Sequence, residues 1–391
     1  MKFIIFTDYY KPIIKSGSII INDLTKEIIN NGHHVTIVTF SDNQKKSVEF
    51  VQQKKLRVIR IKVITRAYGK VGRLIAEAQY SSKIIKSLKL FHNISCDGII
   101  CLAPSIFYGD AIKWLKEKNN SKAYLIVRDI FPKWILDAGL LKDGLLYRYF
   151  KRIEKNLYEN CDFIGIEAAS DLDYFYEYGL SKTITIEVLN NWASPLTSIE
   201  LSLDSNIIDP NLINIVYGGN MGDAQDLLSL INKIDLEILK DKARIILIGN
   251  GNQYEGIKKL IVKKNISNIR ILPMIRRSSY LSILSKSDIG LVSLNQQLLS
   301  NNYPLKMIGY LQLGLPVLAS VNKGNEIINI INDFNLGLVS LASDNKKFNK
   351  NLQLLIKNKK NRNIQGKNAK AFFNKKFDVK VAYDEIFKHF N

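Results

Sequence analysis

Apolar and polar positions along this chain change their period at regular intervals. Residues 3–6 form a short apolar run that predicts a first β-strand, and YYKPIIKSGS after it, with Pro12 and Gly17, predicts a loop. Over residues 19–30 the spacing turns helical. Ile20, Ile21, Leu24 and Ile28 share one face, Gly32 stops the helix, and HHVTIVTF begins the next strand. The alternation recurs, with strands predicted at 99–102, 123–127 and 161–167 and helices near 112–118 and 145–160. Repeated strand–helix–strand units predict a parallel sheet covered by helices.

Periodicity fails between 190 and 210, where NNWASPLTSIELSLDSNIIDP is rich in turn formers, and a second α/β series follows. Its strands are predicted at 214–217 running into GGNMGDAQDL, at 244–248 into GNGNQ, at 269–272 into PMIRR, and at 288–294. A helix over 307–313 and a strand at 316–320 continue it. The pattern divides the chain into an N-terminal Rossmann-like domain (1–190), a linker (191–210), a C-terminal Rossmann-like domain (211–375) and a last helix (376–391) expected to pack back on the N-terminal domain. A length of 391 residues agrees, since it exceeds one core of ordinary size. Two α/β domains in succession are expected to face each other across a cleft at the carboxyl ends of their sheets, where open parallel sheets bind ligands.

Composition narrows the class. With 46% hydrophobic and 24% charged residues the chain reads as globular. Cys96, Cys101 and Cys161 have no paired spacing, which suits a reducing compartment. The first apolar run is too short for a signal peptide, and no apolar stretch reaches the roughly 18 residues of a membrane span, so a cytoplasmic location is expected. His33, His34, His92 and His389 lack metal-ligand spacing, as do Asp171, Asp173, Asp204 and Asp209, and no metal or cofactor is expected.

The net charge is +20, and it is uneven: between Lys45 and Lys89 thirteen Lys/Arg stand against Glu49 and Glu77. Such a segment attracts polyanions, or is simply a solvated lysine-rich surface. Ile84, Ile85 and Leu88 beside Lys83, Lys86 and Lys89 form a basic amphipathic face that suits an anionic membrane or, equally, core packing. The segment carries no nucleic-acid recognition motif or interleaved aromatics, so nucleic acid is not an expected partner.

In the C-terminal half three glycine-bearing loops adjoin strands, at Gly218-Gly219, at Gly249 and Gly251, and at Gly314. Glycine lets backbone N–H groups approach a phosphate, and together the loops favour a nucleotide site. NNYPLKMIGYLQLGLPVLAS (301–320) then resembles the signature of glycosyltransferase family 4, a retaining family of GT-B fold; Pro304, Gly314, Pro316 and Val317 fall at its spacing. Pro304, Lys306 and Tyr310 resemble the P-S-K-x-x-E-Y variant of bacterial surface-polysaccharide (O-antigen, capsule, lipopolysaccharide) synthesis. FTDYYKPIIKSGS, VRDIFP, IVYGGNMG and ILIGNG agree in order, so the resemblance covers most of the chain.

The resemblance implies two Rossmann-like domains and a donor site made by Gly17, Ser18, Gly219, Asn220, Met274, Ile275, Asn301, Lys306, Gly309 and Glu326. In it Gly17 approaches the donor phosphates and acceptor, Gly219 the diphosphate, Met274 and Ile275 the base, and Lys306 neutralises the leaving diphosphate. The departures are specific. Asn301 and Gly309 replace both glutamates of E-x7-E, Asn220 and Gln225 replace an Arg and a Lys, and Arg128, beside Asp129, replaces a catalytic-site histidine. Arg128 with Asp129 is read as the catalytic pair, with Arg128 a fixed charge for phosphate or half of a salt bridge.

The implied activity is metal-independent transfer of a hexose or N-acetylhexosamine from a nucleoside diphosphate sugar, UDP-sugar foremost, to a lipid-linked saccharide. Anionic membrane is a further partner through the segment between Lys45 and Lys89. A GT-B nucleotide-sugar epimerase and a non-catalytic partner subunit are the alternatives.

Overall fold

The structure is a computed structural model. It describes residues 1–390 except 14, 43, 64–68, 92–93, 138, 140, 181–183, 197–206 and 299–303, and for 69–73 the backbone alone. The chain forms two units, Met1–Ser194 with Val379–Asn391, and Pro195–Asp378.

The first unit begins β1 (Lys2–Phe6), α1 (Ser16–Asn30), β2 (His34–Ser41), β3 (Val48–Gln53) and β4 (Leu56–Lys62). It continues α2 (Gly69–Ala78), α3 (Tyr80–Lys89), β5 (Gly98–Leu102), α4 (Gly109–Asn119), β6 (Lys122–Ile126) and α5 (Lys133–Asp137). Then come α6 (Leu145–Glu159), β7 (Phe163–Ile166), α7 (Leu172–Glu177) and β8 (Thr185–Val188). The sheet order is β3-β4-β2-β1-β5-β6-β7-β8, parallel throughout except for the β3–β4 hairpin at one edge. Apolar alternation in β1 explains the layering: Ile4 and Phe6 enter one buried cluster, Phe3 and Ile5 the cluster on the opposite face.

Two sequence expectations change here. Ile84 and Leu88 of α3 are fully buried in the first cluster and Ile85 packs against it, so the face proposed to lie on a membrane is core. Asn191–Ser194, read as the start of the linker, belong to the first unit: Trp192 is buried and its indole N–H donates to the Ile20 carbonyl at 3.0 Å.

The second unit runs β9 (Ile213–Gly218), α8 (Leu227–Lys233), β10 (Ala243–Ile248), α9 (Tyr254–Lys263), β11 (Ile269–Leu272), α10 (Arg277–Ser285) and β12 (Ile289–Ser293). It ends α11 (Leu305–Gln312), β13 (Val317–Val321), α12 (Ile327–Asp333), β14 (Gly337–Leu341), α13 (Asn345–Lys357) and α14 (Lys359–Lys376). Its sheet, β11-β10-β9-β12-β13-β14, is wholly parallel. The last helix, α15 (Val379–Phe387), returns to the first unit, where Phe387 and Phe390 lie 4.6 and 5.1 Å from the Phe3 ring.

Strand order reverses at β9, between β10 on one side and β12 on the other. A reversal of this kind opens a crevice at the carboxyl ends of the two diverging strands, the usual ligand position in such sheets. It directs attention to the loops after β9 and β12.

Candidate functional site

The loop leaving β9 and the loop leaving β10 are fused through their backbones. Gly219 N–H donates to Ile248 O (2.9 Å), Met221 N–H to Asn250 O (2.8 Å) and Gln253 N–H to Met221 O (2.9 Å). Gly249 has φ +151° and a Cβ there would stand 1.8 Å from Gly219 O; Gly251 has φ +157° and its Cβ would stand 2.3 Å from Met221 O. Only glycine meets both the positive φ and the contact. The Asn220 amide donates to Gln225 Oε1 (2.9 Å), and Asn250 Oδ1 accepts from Met274 N–H (3.2 Å), tying the loop after β11 to the same group.

Lys306, in the first turn of α11, leans over this loop. Its Nζ donates to the Tyr217 hydroxyl at 2.5 Å and lies 3.8 Å from that ring's centroid. The same Nζ is 3.7 Å from the position of a Cβ on Gly219. Among the described residues no carboxylate pairs with it. Burial depresses its pKa to about 7, since nothing acidic offsets the lost hydration. Tyr217 donates in turn to Asn220 O. Below them the Tyr310 hydroxyl accepts from Gly218 N–H (3.2 Å) and donates to Leu291 O (3.1 Å), joining β9 to β12 at the strand-order reversal.

The remaining expected donor residues of this unit spread along its strand ends. Met274 is exposed and Ile275 half-buried after β11, Gly309 is half-buried in the middle of α11, and Glu326 immediately precedes α12. Asn301 lies outside the described residues.

Gly17 and Ser18 belong to the first unit, in the opening turn of α1. The buried Ser18 Oγ accepts from Lys15 N–H (3.0 Å) and donates to Ile13 O (2.7 Å), so the hydroxyl closes its own loop. Arg128 follows β6. Its guanidinium donates to Leu189 O (2.8 Å) and Asn190 O (3.3 Å) and covers the Trp192 ring at 5.1 Å. Asp129 is exposed and makes no ion pair with it.

The acid beside Arg128 is Glu167, at the end of the neighbouring β7. It accepts from the Asn191 amide at 2.5 Å. Burial raises its pKa to about 7, with Arg128 pulling it down and Asp129 and Asp171 pushing it up. Arg128 Nε, Asn191 Oδ1 and, after β5, Ser105 Oγ are buried polar atoms without a partner. These atoms at the carboxyl ends of β5–β8 are suited to a polar ligand.

Residues 205–372 match the family model of glycosyl transferases group 1. The match spans most of the second unit. The chain is 24% identical over 244 residues to the probable glycosyltransferase WbjE of Pseudomonas aeruginosa, covering 60% of this chain and 57% of that one. It is 22% identical over 395 residues to the uncharacterized glycosyltransferase MJ1069 of Methanocaldococcus jannaschii, covering 100% and 98%. Among solved structures it resembles a sucrose-phosphate synthase from Thermosynechococcus elongatus with TM-score 0.72, 13% identity and 100% and 98% coverage. It also resembles WaaG, a glycosyltransferase of lipopolysaccharide biosynthesis, with TM-score 0.64, 15% identity and 98% coverage of both. These likenesses show the fold, which is GT-B.

Within the domain formed by the second unit, the glycine loops and Lys306 are legible in the sequence, but Tyr217 as the partner of Lys306 was missed. The signal was present, since Tyr217 is the polar-tipped side chain that closes the strand run before Gly218-Gly219. Glu167, outside that domain, also announced itself as an acid closing the apolar run FIGI.

Proposed function

We propose that the chain transfers a hexose or N-acetylhexosamine, without a metal, from a nucleoside diphosphate donor, a UDP-sugar foremost, to a lipid-linked saccharide of bacterial surface-polysaccharide synthesis. The observation that carries this reading is Lys306, a cation without a carboxylate, held against Tyr217 and the Gly219 loop at the strand-order reversal. In the transfer, the bond from sugar C1 to the diphosphate breaks with its electron pair going to the diphosphate, and an acceptor hydroxyl oxygen bonds C1 as its proton passes to the departing diphosphate oxygen. The charge gathering on the leaving group is what Lys306 and the loop N–H groups neutralise. That arrangement supports Lys306 in the place of the absent Arg and Lys at Asn220 and Gln225.

Acceptor hydroxyls suit the unpaired atoms of Arg128, Asn191 and Ser105 in the first unit. No helix among the described residues is long and apolar enough to cross a membrane. Contact with an anionic surface is supported instead by exposed Lys45, Lys46, Lys54, Arg57, Lys86 and Lys89, with Phe50 and Leu90 exposed among them.

The test is a thermal-shift panel of UDP-, GDP- and TDP-sugars. One class should raise the midpoint as its concentration passes its Kd. Stabilisation by none of them would sink the proposal.

A further inference from the structure

Beside α1 the first unit holds a cavity of about 300 Å³ unconnected with the residues above. Its apolar floor and wall are Val51 of β3, Leu56 and Val58 of β4, and Ile29 of α1. Around it stand Lys11, from the loop after β1, Lys26 of α1 and Arg60 of β4. Among the described residues no acidic one lines it. None of the three cations has an ion-pair partner among the described residues.

The polar groups of the rim are otherwise fixed in place. Arg60 Nη2 donates to Lys11 O at 2.6 Å, which holds the loop against β4 and leaves the rest of the guanidinium uncommitted. Asp23, the acid felt by Lys11, already accepts from Ser194 N–H (3.1 Å) and from the Asn22 amide (3.3 Å). Lys11 has its pKa lowered by burial and by the positive charge of Lys26. Three cations gathered with Asp23 as the one acid felt by Lys11 keep a surplus of positive charge, and the cost is relieved by an anion. An apolar floor below them adds a demand that inorganic phosphate does not meet, because only a hydrocarbon gains from covering it.

We propose that this cavity binds a lipid phosphate, with the phosphate between Lys11, Lys26 and Arg60 and the first carbons of its chain on Val51, Leu56 and Val58. Guanidinium and ammonium groups supply charge-assisted hydrogen bonds to the phosphate oxygens. The phosphate comes either from a lipid-linked acceptor or from a bilayer headgroup. The inference rests on the lipid side of the function proposed above, but its probes contain no nucleotide or sugar, so it and donor binding can fail separately.

The experiment is calorimetric titration of the full chain, with saturating UDP to occupy the loops of the second unit. The probes are farnesyl diphosphate, dihexanoyl phosphatidylglycerol, inorganic diphosphate and farnesol. Either lipid phosphate should bind at least tenfold more tightly than inorganic diphosphate and than farnesol, and the one that binds better identifies the source. Lys11→Glu with Lys26→Glu should weaken it at least tenfold, as should Val51→Asp. These three side chains are exposed, so circular dichroism should show unchanged folding. Equal binding by inorganic diphosphate, no binding of either lipid phosphate, or lipid binding indifferent to the substitutions would each overturn the proposal.

Discussion

The carboxyl ends of the two sheets are built from different materials. In the second unit the rim is backbone: glycines let two loops share hydrogen bonds, and one lysine over one tyrosine supplies the charge. In the first unit the rim is side chains, with Arg128 bonded to carbonyls and Glu167 to Asn191. Backbone N–H groups suit a diphosphate, whose oxygens are alike whatever sugar they carry. Side chains suit the varied hydroxyls of a saccharide, because each can be exchanged without moving the chain. The proposed function therefore gives one rim a common donor feature and the other an individual partner.

The strongest attack on this contrast is Gly249→Ala. A Cβ at φ +151° and 1.8 Å from Gly219 O should cost roughly 3 kcal/mol or more in the second unit. Calorimetry should show its melting transition about 6–12 °C lower. An unchanged transition would show that the two loops are not fused as described.

Next in size is Lys306→Met. Losing a charge-assisted contact should weaken UDP-sugar binding by roughly 10–100-fold. The same change removes a half-buried cation and should raise the melting temperature of the free protein, opposite movements that a general folding defect cannot give. The pH dependence sharpens it. A lysine at about 7 in the folded protein against 10.5 in the unfolded chain binds fewer protons when folded, so its contribution to stability should rise with pH between those values. Donor affinity should instead fall as pH rises above about 7, with a proton taken up on binding, measurable by calorimetry in buffers of different ionisation enthalpy.

A smaller effect concerns the basic edge of the first unit. Lys86→Ala with Lys89→Ala should weaken flotation with vesicles containing phosphatidylglycerol by about 1 kcal/mol per lysine at low salt. Lys83→Ala should do less, since Lys83 Nζ already donates to Lys62 O at 3.2 Å. Equal losses from all three would spread the contact over the whole helix.

The smallest is Glu167→Gln. A carboxyl held at about 7 when folded, against 4.5 when unfolded, keeps its proton longer in the native state, so stability should fall as pH rises between those values. Glutamine should remove that slope and raise the melting temperature above pH 7 by roughly 2–4 °C. A slope that persists would assign the titration to another group.

How far the sequence revealed this contrast follows from the same materials. Backbone sites need glycine, and Gly219, Gly249 and Gly251 stand out beside apolar strand runs. The register of α1 was equally plain from Ile20, Ile21, Leu24 and Ile28. The edge strands were hidden, because β4 (LRVIRIK) interrupts its apolar positions with Arg57 and Arg60 and reads as a basic segment. The lysines of α3 concealed core positions in the same way: flanking charge says nothing about where Ile84 and Leu88 point. Arg128 was found, but its carbonyl partners at 189 and 190 are distant in sequence and carry no residue-type signal.

The return of α15 to the first unit has a consequence for synthesis. Phe3 and Ile5 leave the ribosome well before Val379, Ile386 and Phe387, which complete their cluster. At about 5–20 residues per second, residues 195–378 separate those events by roughly 10–40 s. The first unit must therefore wait, with one face of its sheet open, while the second unit is made and can already fold. A stop codon that removed α15 would damage the first unit, not the second, which precedes α15 in the chain.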